Sequence, residues 1–213
     1  HSLVQYNKVL LQRNKLLKEL FFKPEYEETL DVWDMQLVNY GKEVIRFRRE
    51  FIGRLNEIMQ KIHLSLSGNK EEIKISYEPY TIEDQFGQTL KRNRPQDMKQ
   101  KTTLSGPHRD DISFIVNGID IRRFGSQGQQ RTAALSLKLS ELELVKAVSR
   151  DNPILLLDDV LSELDSSRQN HLLSAIQDIQ TMITCTGLDD FVNNRFHIDK
   201  IFKVIDGTVE NEN

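Results

Sequence analysis

Several features that mark other classes of protein are scarce or absent in this sequence of 213 residues. It has a single cysteine, Cys185, which cannot form a disulfide within the chain. It has no apolar run of about 18 residues, the length that a membrane-spanning helix needs, and no apolar segment typical of a secretory signal. These absences predict a protein of a reducing, cytoplasmic compartment with no use for a membrane.

Neither sign of charge is in large excess. The chain has 29 lysines and arginines against 32 aspartates and glutamates, for a net charge of -3. A chain with this balance has no overall signature of nucleic-acid binding, so any contact with DNA must come from a local basic patch. With 38% apolar residues, the composition is that of a folded protein with one large domain or two modest ones.

The phosphate-binding loop G-x-x-x-x-G-K-[ST], known as Walker A, is also missing. Residue 1 is a histidine rather than an initiator methionine, and helical periodicity already runs through the first residues. We therefore expect the chain to be cut from a longer protein. A lobe that carries the Walker A loop could lie upstream of residue 1.

Residues 1 to about 66 are predicted to form an arm of two long antiparallel helices, broken near Pro24 because proline cannot continue a helix. The second helix, from about Thr29 to Leu66, has apolar residues at seven-residue intervals along one broad face. At about 1.5 Å per residue it would be on the order of 55 Å long. The predicted apolar face comprises Val44, Ile45, Phe51, Ile52, Leu55, Ile58, Met59, Ile62 and Leu66.

A short strand and a polar helix are predicted to return from this arm, which we assign to residues 1–100. Beyond it, strands alternate with helices, which is typical of an α/β lobe with a mainly parallel sheet, and we assign this lobe to residues 101–213. The predicted elements are strands at 73–77, 112–116, 154–157 and 182–184, helices at 127–148 and 166–179, and hairpins at Asn117-Gly118 and Asp206-Gly207.

Two groups of basic residues are candidate DNA contacts. Residues 91–101 hold five basic residues and one acidic residue, and a solvated linker is the favoured interpretation. On the second helix of the arm, basic residues recur at helical spacing, where a solvated helix face is the simpler explanation. The candidates are Lys91, Arg92 and Arg94 in the first group and Lys42, Arg46 and Arg49 in the second.

Asp158 and Asp159 follow a strand that is apolar throughout. Such a strand is typically buried on both faces of a parallel sheet, and α/β sheets bind ligands beyond the carboxyl ends of their strands. A carboxylate there suits Mg²⁺, which takes one or two carboxylates together with phosphate oxygens, and a second carboxylate could orient or deprotonate an attacking water. An ordinary polar strand end would explain the same residues without a ligand.

Ser126 lies in a glycine-rich segment that precedes a helix. Ser126 and Gln129 fit the capping box S-x-x-Q, which satisfies two backbone amides at a helix start. The same hydroxyl, with the amide of Gly128 and the positive end of the helix, would also suit a terminal phosphate. Asp165 has a similar double interpretation, as the N-cap of the next helix or as part of a loop beside the two carboxylates.

The histidines add little. His108, Asp110 and Asp111 could form a metal cluster, but neighbours in sequence rarely converge on one ion, and a strand-end turn stabilised by Arg109 is the favoured interpretation. Three further histidines stand apart in the sequence and are given no role; they are His63, His171 and His197.

Taken in order, these motifs resemble the ABC-type ATPases. Segment 125–129 is similar to their signature motif, segment 154–159 to the Walker B strand and segment 162–165 to the D-loop. The chain is more closely similar to the RecF family of recombination mediators, densely so from about Leu104 to Asp165. The segments that carry this resemblance are Ser105-Gly106-Pro107-His108-Arg109-Asp110-Asp111, Gly125-Ser126-Gln127-Gly128-Gln129-Gln130-Arg131 and Leu156-Leu157-Asp158-Asp159-Val160-Leu161-Ser162-Glu163-Leu164-Asp165.

The resemblance implies a slow, Mg²⁺-dependent DNA-repair ATPase that forms a homodimer on ATP, binds duplex DNA at gaps and helps RecR and RecO to load RecA. Asp158 would hold Mg²⁺ through water, and Asp159 would occupy the position of the catalytic base. The signature would contact the γ-phosphate that the opposite subunit binds. The residues implied in trans are Ser126, Gln127, Gly128 and Gln129 in the signature and Ser162 and Asp165 in the D-loop.

Two positions depart from the ABC pattern. Asp159 stands where most of these enzymes have glutamate, so a shorter side chain would hold the water less closely, and slow hydrolysis is expected. Thr184 and Thr186 are candidates for the switch position, which many of these enzymes fill with histidine, although a hydroxyl is a poor proton acceptor. Cys185 is not predicted to be a nucleophile.

Two alternatives stay open. The chain could be a non-catalytic module in which the arm binds DNA or a repair partner and the lobe only supports it. It could also belong among the structural-maintenance or double-strand-break-repair relatives, although these carry far longer coiled coils than residues 1–66 provide.

Overall fold

The helices and strands occur in the predicted order in the computed structural model, which describes residues 1–149, 153–177, 179–185 and 198–212. The helices are α1 (Ser2–Glu19), α2 (Thr29–Leu66), α3 (Phe86–Gln100), α4 (Ile121–Phe124), α5 (Gln127–Ser149) and α6 (Ser166–Ala175). The strands are β1 (Ile73–Glu78), β2 (Asp111–Val116), β3 (Ile119–Asp120), β4 (Leu155–Asp158), β5 (Thr181–Thr184), β6 (Ile201–Ile205) and β7 (Thr208–Glu212). Within these ranges, no helix combines the length and apolar character needed to cross a membrane.

Helices α1 and α2 form the predicted antiparallel arm. The Ser2 hydroxyl donates to the Glu43 carboxylate at 2.5 Å, and Arg13 Nε donates to Asp34 Oδ1 at 2.6 Å. The residue numbers of the contacts decrease along α2 as they increase along α1, so the two helices are antiparallel. The break between the helices is a 3₁₀ turn that begins at Pro24, as the proline predicted.

The buried face of α2 differs from the prediction at Phe51, which is 46% exposed. The next residue, Ile52, lies on the buried face. Successive residues of a helix are rotated by about 100° around its axis, so Phe51 lies to one side of that face. The seven-residue spacing was correct for the fully buried positions, which are Val44, Ile45, Ile52, Leu55, Met59 and Leu66.

A buried charge cluster joins the arm to α3. Arg13, whose side chain has no solvent exposure, donates through Nη1 to Asp97 Oδ2 at 2.8 Å and to Thr103 Oγ1 at 2.7 Å. Burial raises the pKa of Asp97, while Arg13 and the Leu104 amide act in the opposite direction. Together with the Asp34 contact, these bonds hold α1, α2, α3 and the segment after α3 in one arrangement.

The predicted boundary near residue 100 is crossed by a continuous sheet. Strand β1 pairs antiparallel with β2 from Ile73 opposite Val116 to Glu78 opposite Asp111. The second strand turns through the predicted Asn117-Gly118 hairpin into β3. The arm and the lobe therefore share backbone hydrogen bonds as well as side-chain packing.

Strands β4 and β5 form a parallel pair in which Asp158 lies opposite Thr184. The prediction that β4 is buried on both faces was wrong for the described residues: Leu157 is 7% exposed, but Ile154 is 60% exposed and Leu156 68% exposed. Side chains alternate across a strand, and the packed cluster with α5 and α6 covers the Leu157 side. The other described strand pairs, including the predicted β6–β7 hairpin, are antiparallel.

The turn before β2 is stabilised by Arg48 of α2, which corrects the prediction that Arg109 does so. Arg48 Nη1 donates to the Asp110 carboxylate at 3.2 Å and also contacts the Pro107 carbonyl oxygen. The Tyr80 amide donates to the same carboxylate at 2.9 Å, whereas Arg109 is exposed. Among the described residues, no group of three or more histidine, cysteine, aspartate or glutamate side chains is placed to hold a metal ion.

Candidate functional site

The turn before α5 forms the predicted capping box. The Ser126 amide donates to Gln129 Oε1 at 3.1 Å, and the Gln129 amide donates to Ser126 Oγ at 3.2 Å. Because Ser126 Oγ acts as an acceptor in this bond, its own hydrogen stays available for donation outward. The side chains of Ser126 and Gln127 are exposed, so the helix start presents a hydroxyl and backbone amides at its positive end.

Arg168, which the sequence analysis overlooked, brings the turn at Gly128 close to Asp165. Asp165 caps α6 as predicted, because its Oδ1 accepts the Arg168 amide at 3.0 Å. Asp165 Oδ2 also pairs with the Arg168 guanidinium, and the pKa of Asp165 is lowered, first by the backbone hydrogen bond from Arg168. The same guanidinium lies beside Gly128, with Nη1 3.7 Å from the place where a Cβ would stand.

The two aspartates at the end of β4 are bonded to Thr184 at the end of β5, Asp158 through its carboxylate and Asp159 through its backbone amide. The Thr184 hydroxyl donates to Asp158 Oδ1 at 2.5 Å. Its oxygen accepts the Asp159 amide at 3.0 Å, and the Thr184 carbonyl accepts the same amide at 3.1 Å. Asp159 has a left-handed backbone with φ of 52°, and its carbonyl accepts from Ser162 Oγ at 2.8 Å.

Thr184 therefore contacts the carboxylate of Asp158 and the backbone amide of Asp159. Its assignment to the switch position stays a prediction. The other candidate, Thr186, lies outside the described residues. Within the described part of the chain, the β4–β5 edge and the signature turn form two separate groups of neighbouring residues. One group contains Asp158, Asp159, Ser162 and Thr184; the other contains Ser126, Gly128, Gln129, Asp165 and Arg168.

His63 and Glu71 also lie at the signature turn, although the sequence analysis gave His63 no role. Glu71, in the loop between α2 and β1, accepts from Gln129 Nε2 at 3.2 Å. His63 Nε2 lies 3.4 Å from the other carboxylate oxygen of Glu71. Glu71 and Gln129 are far apart in the sequence, so no local pattern predicted their contact.

The basic candidates are placed in different environments. Residues 91–100 belong to helix α3, so the interpretation of this cluster as a linker was wrong. Arg94 pairs with Asp31 at 2.5 Å and with Asp34 at 2.6 Å. Other candidates are less engaged: Lys91 and Arg92 are exposed, Lys42 is half-buried, Arg46 lies over the Phe47 ring and Arg49 is 3.7 Å from Glu83.

Two curated proteins of similar sequence share one description. The chain is 58% identical over 214 residues to the DNA replication and repair protein RecF of Lachnospira eligens, covering 100% of this chain and 59% of that protein. It is 43% identical over 215 residues to the protein of the same description in Clostridium perfringens strain 13, covering 99% of this chain and 59% of that protein. The chain belongs to the RecF family. It spans about 59% of the length of these relatives, and no protein-family model matches it.

Solved structures of RecF agree in fold. The structure of the recombination mediator protein RecF with ATP, of the RecFOR pathway, matches with a TM-score of 0.84 and 34% identity. The match covers 100% of this chain and 58% of that one. A second RecF structure of the same pathway, described as RecF-ATPrS, matches with a TM-score of 0.82, 34% identity and coverage of 99% and 57%. The predicted fold class, an α/β ABC-type lobe with a helical arm, is confirmed.

Proposed function

We propose that this chain supplies the signature, the Walker B strand and the D-loop of a RecF-type ATPase acting in DNA repair. The observation that carries the proposal is the end of β4, where one threonine hydroxyl holds the carboxylate of Asp158 and the backbone of Asp159. An ordinary strand end needs no such arrangement. The relatives' description as DNA replication and repair proteins, and a RecF structure with ATP, support the assignment.

Asp158 fits a role in holding Mg²⁺. Its carboxylate is exposed at the carboxyl end of a parallel strand and offers the hard oxygen ligands that this ion prefers. The bond from Thr184 fixes Oδ1 and thereby orients the carboxylate plane. When bound, the ion would offset the negative charge of the phosphate oxygens.

Asp159 is the proposed acceptor of the proton from the attacking water. Two bonds from its amide to Thr184 fix its backbone, while its side chain is exposed. Aspartate reaches less far than the glutamate common in ABC enzymes, so proton acceptance would be less well aligned. We therefore expect slow turnover.

Ser126 and Gly128 are proposed to meet the γ-phosphate held by a second copy of the protein. A hydroxyl with a free hydrogen, backbone amides and the positive end of α5 suit such an anion. The separation of the signature turn from the β4–β5 edge within one copy favours use in trans, since two copies related by a two-fold axis would each supply both halves once. Asp165 would then lie at the seam between them.

Replacing Thr184 by valine tests the arrangement at β4. Valine has the same shape but neither accepts the Asp159 amide nor donates to Asp158, so we expect kcat for ATP hydrolysis by the full-length protein to fall by about 10–100-fold. Thr184→Ser should retain most of the activity because it keeps the hydroxyl. Thr208→Val, an exposed threonine in β7, is the matched control. Equal rates for Thr184→Val and the control would exclude Thr184 from the site.

The full-length protein is further proposed to bind duplex DNA at gaps and to act with RecR and RecO in loading RecA. This part rests on the RecFOR pathway of the RecF structures and on the exposed basic residues of the arm. Lys91 lines a groove between α2 and α3 together with Met35 and Asn39. Lys42 follows on the same side of α2, because residues 35, 39 and 42 lie within one helical stripe.

The salt dependence of DNA affinity tests whether these lysines contact phosphates. For Lys42→Ala and for Lys91→Ala, the slope of log affinity against log salt concentration should each decrease by about one, with similar weakening for different DNA sequences. Lys138→Ala on α5, exposed and paired with Glu141, is the control. Fluorescence anisotropy with a labelled duplex gives the slopes. Slopes equal to that of the control would favour a solvated helix face.

A further inference from the structure

The side-chain amide of Gln129 bridges two partners. Its Oε1 accepts the Ser126 amide at 3.1 Å, and its Nε2 donates to Glu71 Oε1 at 3.2 Å. An amide has one acceptor end and one donor end, so these two bonds together fix which way it points. The conformation of the signature turn thus depends on a carboxylate outside the signature.

Glu71 lies beside His63, which is on the last turn of α2. The imidazole is fully buried, and its Nδ1 lies 3.0 Å from Ser136 Oγ. Since Ser136 donates its own hydrogen to the Thr132 carbonyl at 2.7 Å, it accepts a hydrogen from His63 Nδ1. His63 Nε2 then faces Glu71 Oε2 at 3.4 Å.

The Arg168 guanidinium adds a positive charge near this group and lies beside Gly128 of the signature. Within the described part of the chain, Arg168 Nε, His63 Nε2 and Glu71 Oε2 are buried without a conventional hydrogen bond.

We propose that Glu71 is a positioning residue for the signature: it holds Gln129, and through it Ser126, in the orientation that meets the terminal phosphate of the other copy. The proposal rests on the proposed function of Ser126. A glycine-flanked turn exposed to solvent has many conformations, and a phosphate contact gains most when its donors are held in place beforehand. His63 lies between this anchor and Ser136 of α5, so the last turn of α2 packs against the side chains that support the signature.

An exchange of side chains between positions 71 and 129 tests the proposal in the full-length protein. Gln129→Glu still accepts the Ser126 amide but places two carboxylates against each other, whereas the double variant Glu71→Gln with Gln129→Glu restores a donor and an acceptor. We expect Gln129→Glu to lower kcat for ATP hydrolysis and ATP-dependent dimerisation by about 10–100-fold. The double variant should recover to within about threefold of the unmodified protein.

The affinity of the monomer for ATP should change little in all these variants, because the signature is used only across the dimer. Glu71→Ala is a second test, since it removes the hydrogen-bond acceptor of Gln129 without adding a charge. It should also lower kcat while the ATP affinity of the monomer changes little. Glu72→Ala, an exposed neighbouring glutamate, is the control. Unfolding temperatures show whether each variant is folded.

Recovery in the double variant supports the positioning role. A double variant as defective as Gln129→Glu would overturn it, as would a Glu71→Ala variant with unchanged kcat and dimerisation. Ser126→Ala separates these results from failure of the proposed function. If Ser126→Ala dimerises and turns over ATP normally, the assignment of the signature serine itself is wrong; if it is defective while the exchange fails to recover, only the role of Glu71 is wrong.

Discussion

Full-length protein that carries Asp158→Asn is expected to lose ATP turnover by a factor of at least about 100 while it still binds ATP. Asparagine has nearly the same size and keeps an oxygen for the Thr184 hydroxyl, which donates to Asp158 Oδ1 at 2.5 Å. It lacks the negative charge that suits Mg²⁺. The loss should therefore appear in turnover rather than in folding, and should exceed that of Thr184→Val.

Phosphate release at saturating ATP and Mg²⁺ measures this effect, and equilibrium binding of a fluorescent ATP derivative shows that the nucleotide still enters. Asp84→Asn is a suitable control, because Asp84 is an exposed carboxylate in the 3₁₀ turn Glu83–Gln85. Normal turnover by Asp158→Asn would remove this carboxylate from the proposed mechanism.

Replacing Arg13 by methionine is expected to lower the free energy of unfolding by about 3–5 kcal/mol. The variant fills much of the same volume but leaves Asp97 buried without its ion pair. Asp34 keeps its pair with Arg94 at 2.6 Å, so Asp97 accounts for most of the loss. Removing one partner of a buried pair is costly because the remaining charge has neither water nor a counterion.

Urea unfolding followed by the fluorescence of Trp33 would give the difference in free energy. Lys15→Met on the same helix is the matched control, since Lys15 is exposed and 3.9 Å from Glu19, and a change within about 0.5 kcal/mol is expected. A loss below about 1 kcal/mol for Arg13→Met would mean that the cluster relaxes or takes up water.

Local patterns predicted the elements of the fold well because the information they carry is local. The apolar stripe of α2, the proline between α1 and α2, and the Asn117-Gly118 turn each specify a conformation within a few residues. Which neighbour covers a surface is a different question, since periodicity marks a face as apolar without saying how far a partner reaches. Phe51 and Leu156 show this limit: each lies on a predicted core face and each is exposed.

In the candidate site, too, the contacts within a few residues were predictable and those between distant residues were not. The capping box of Ser126 spans four residues and was predictable, as was the N-cap at Asp165. The contact of Thr184 with Asp158 follows from adjacent parallel strands, whose ends meet at one edge. Arg168 and Glu71 reach the signature from distant parts of the chain, and a linear sequence gives no sign of such charge pairs. The trans contacts of the signature and D-loop stay predictions.

The left-handed backbone at Asp159 bears on the choice of amino acid at the position of the proposed base. With φ of 52°, this residue occupies a conformation in which aspartate and asparagine are enriched among non-glycine residues, because a short polar side chain can bond locally. Glutamate would extend further toward a water but is less suited to that conformation. Reach and backbone geometry thus oppose each other at this position, and the proposed slow turnover would follow from a turn whose backbone favours aspartate.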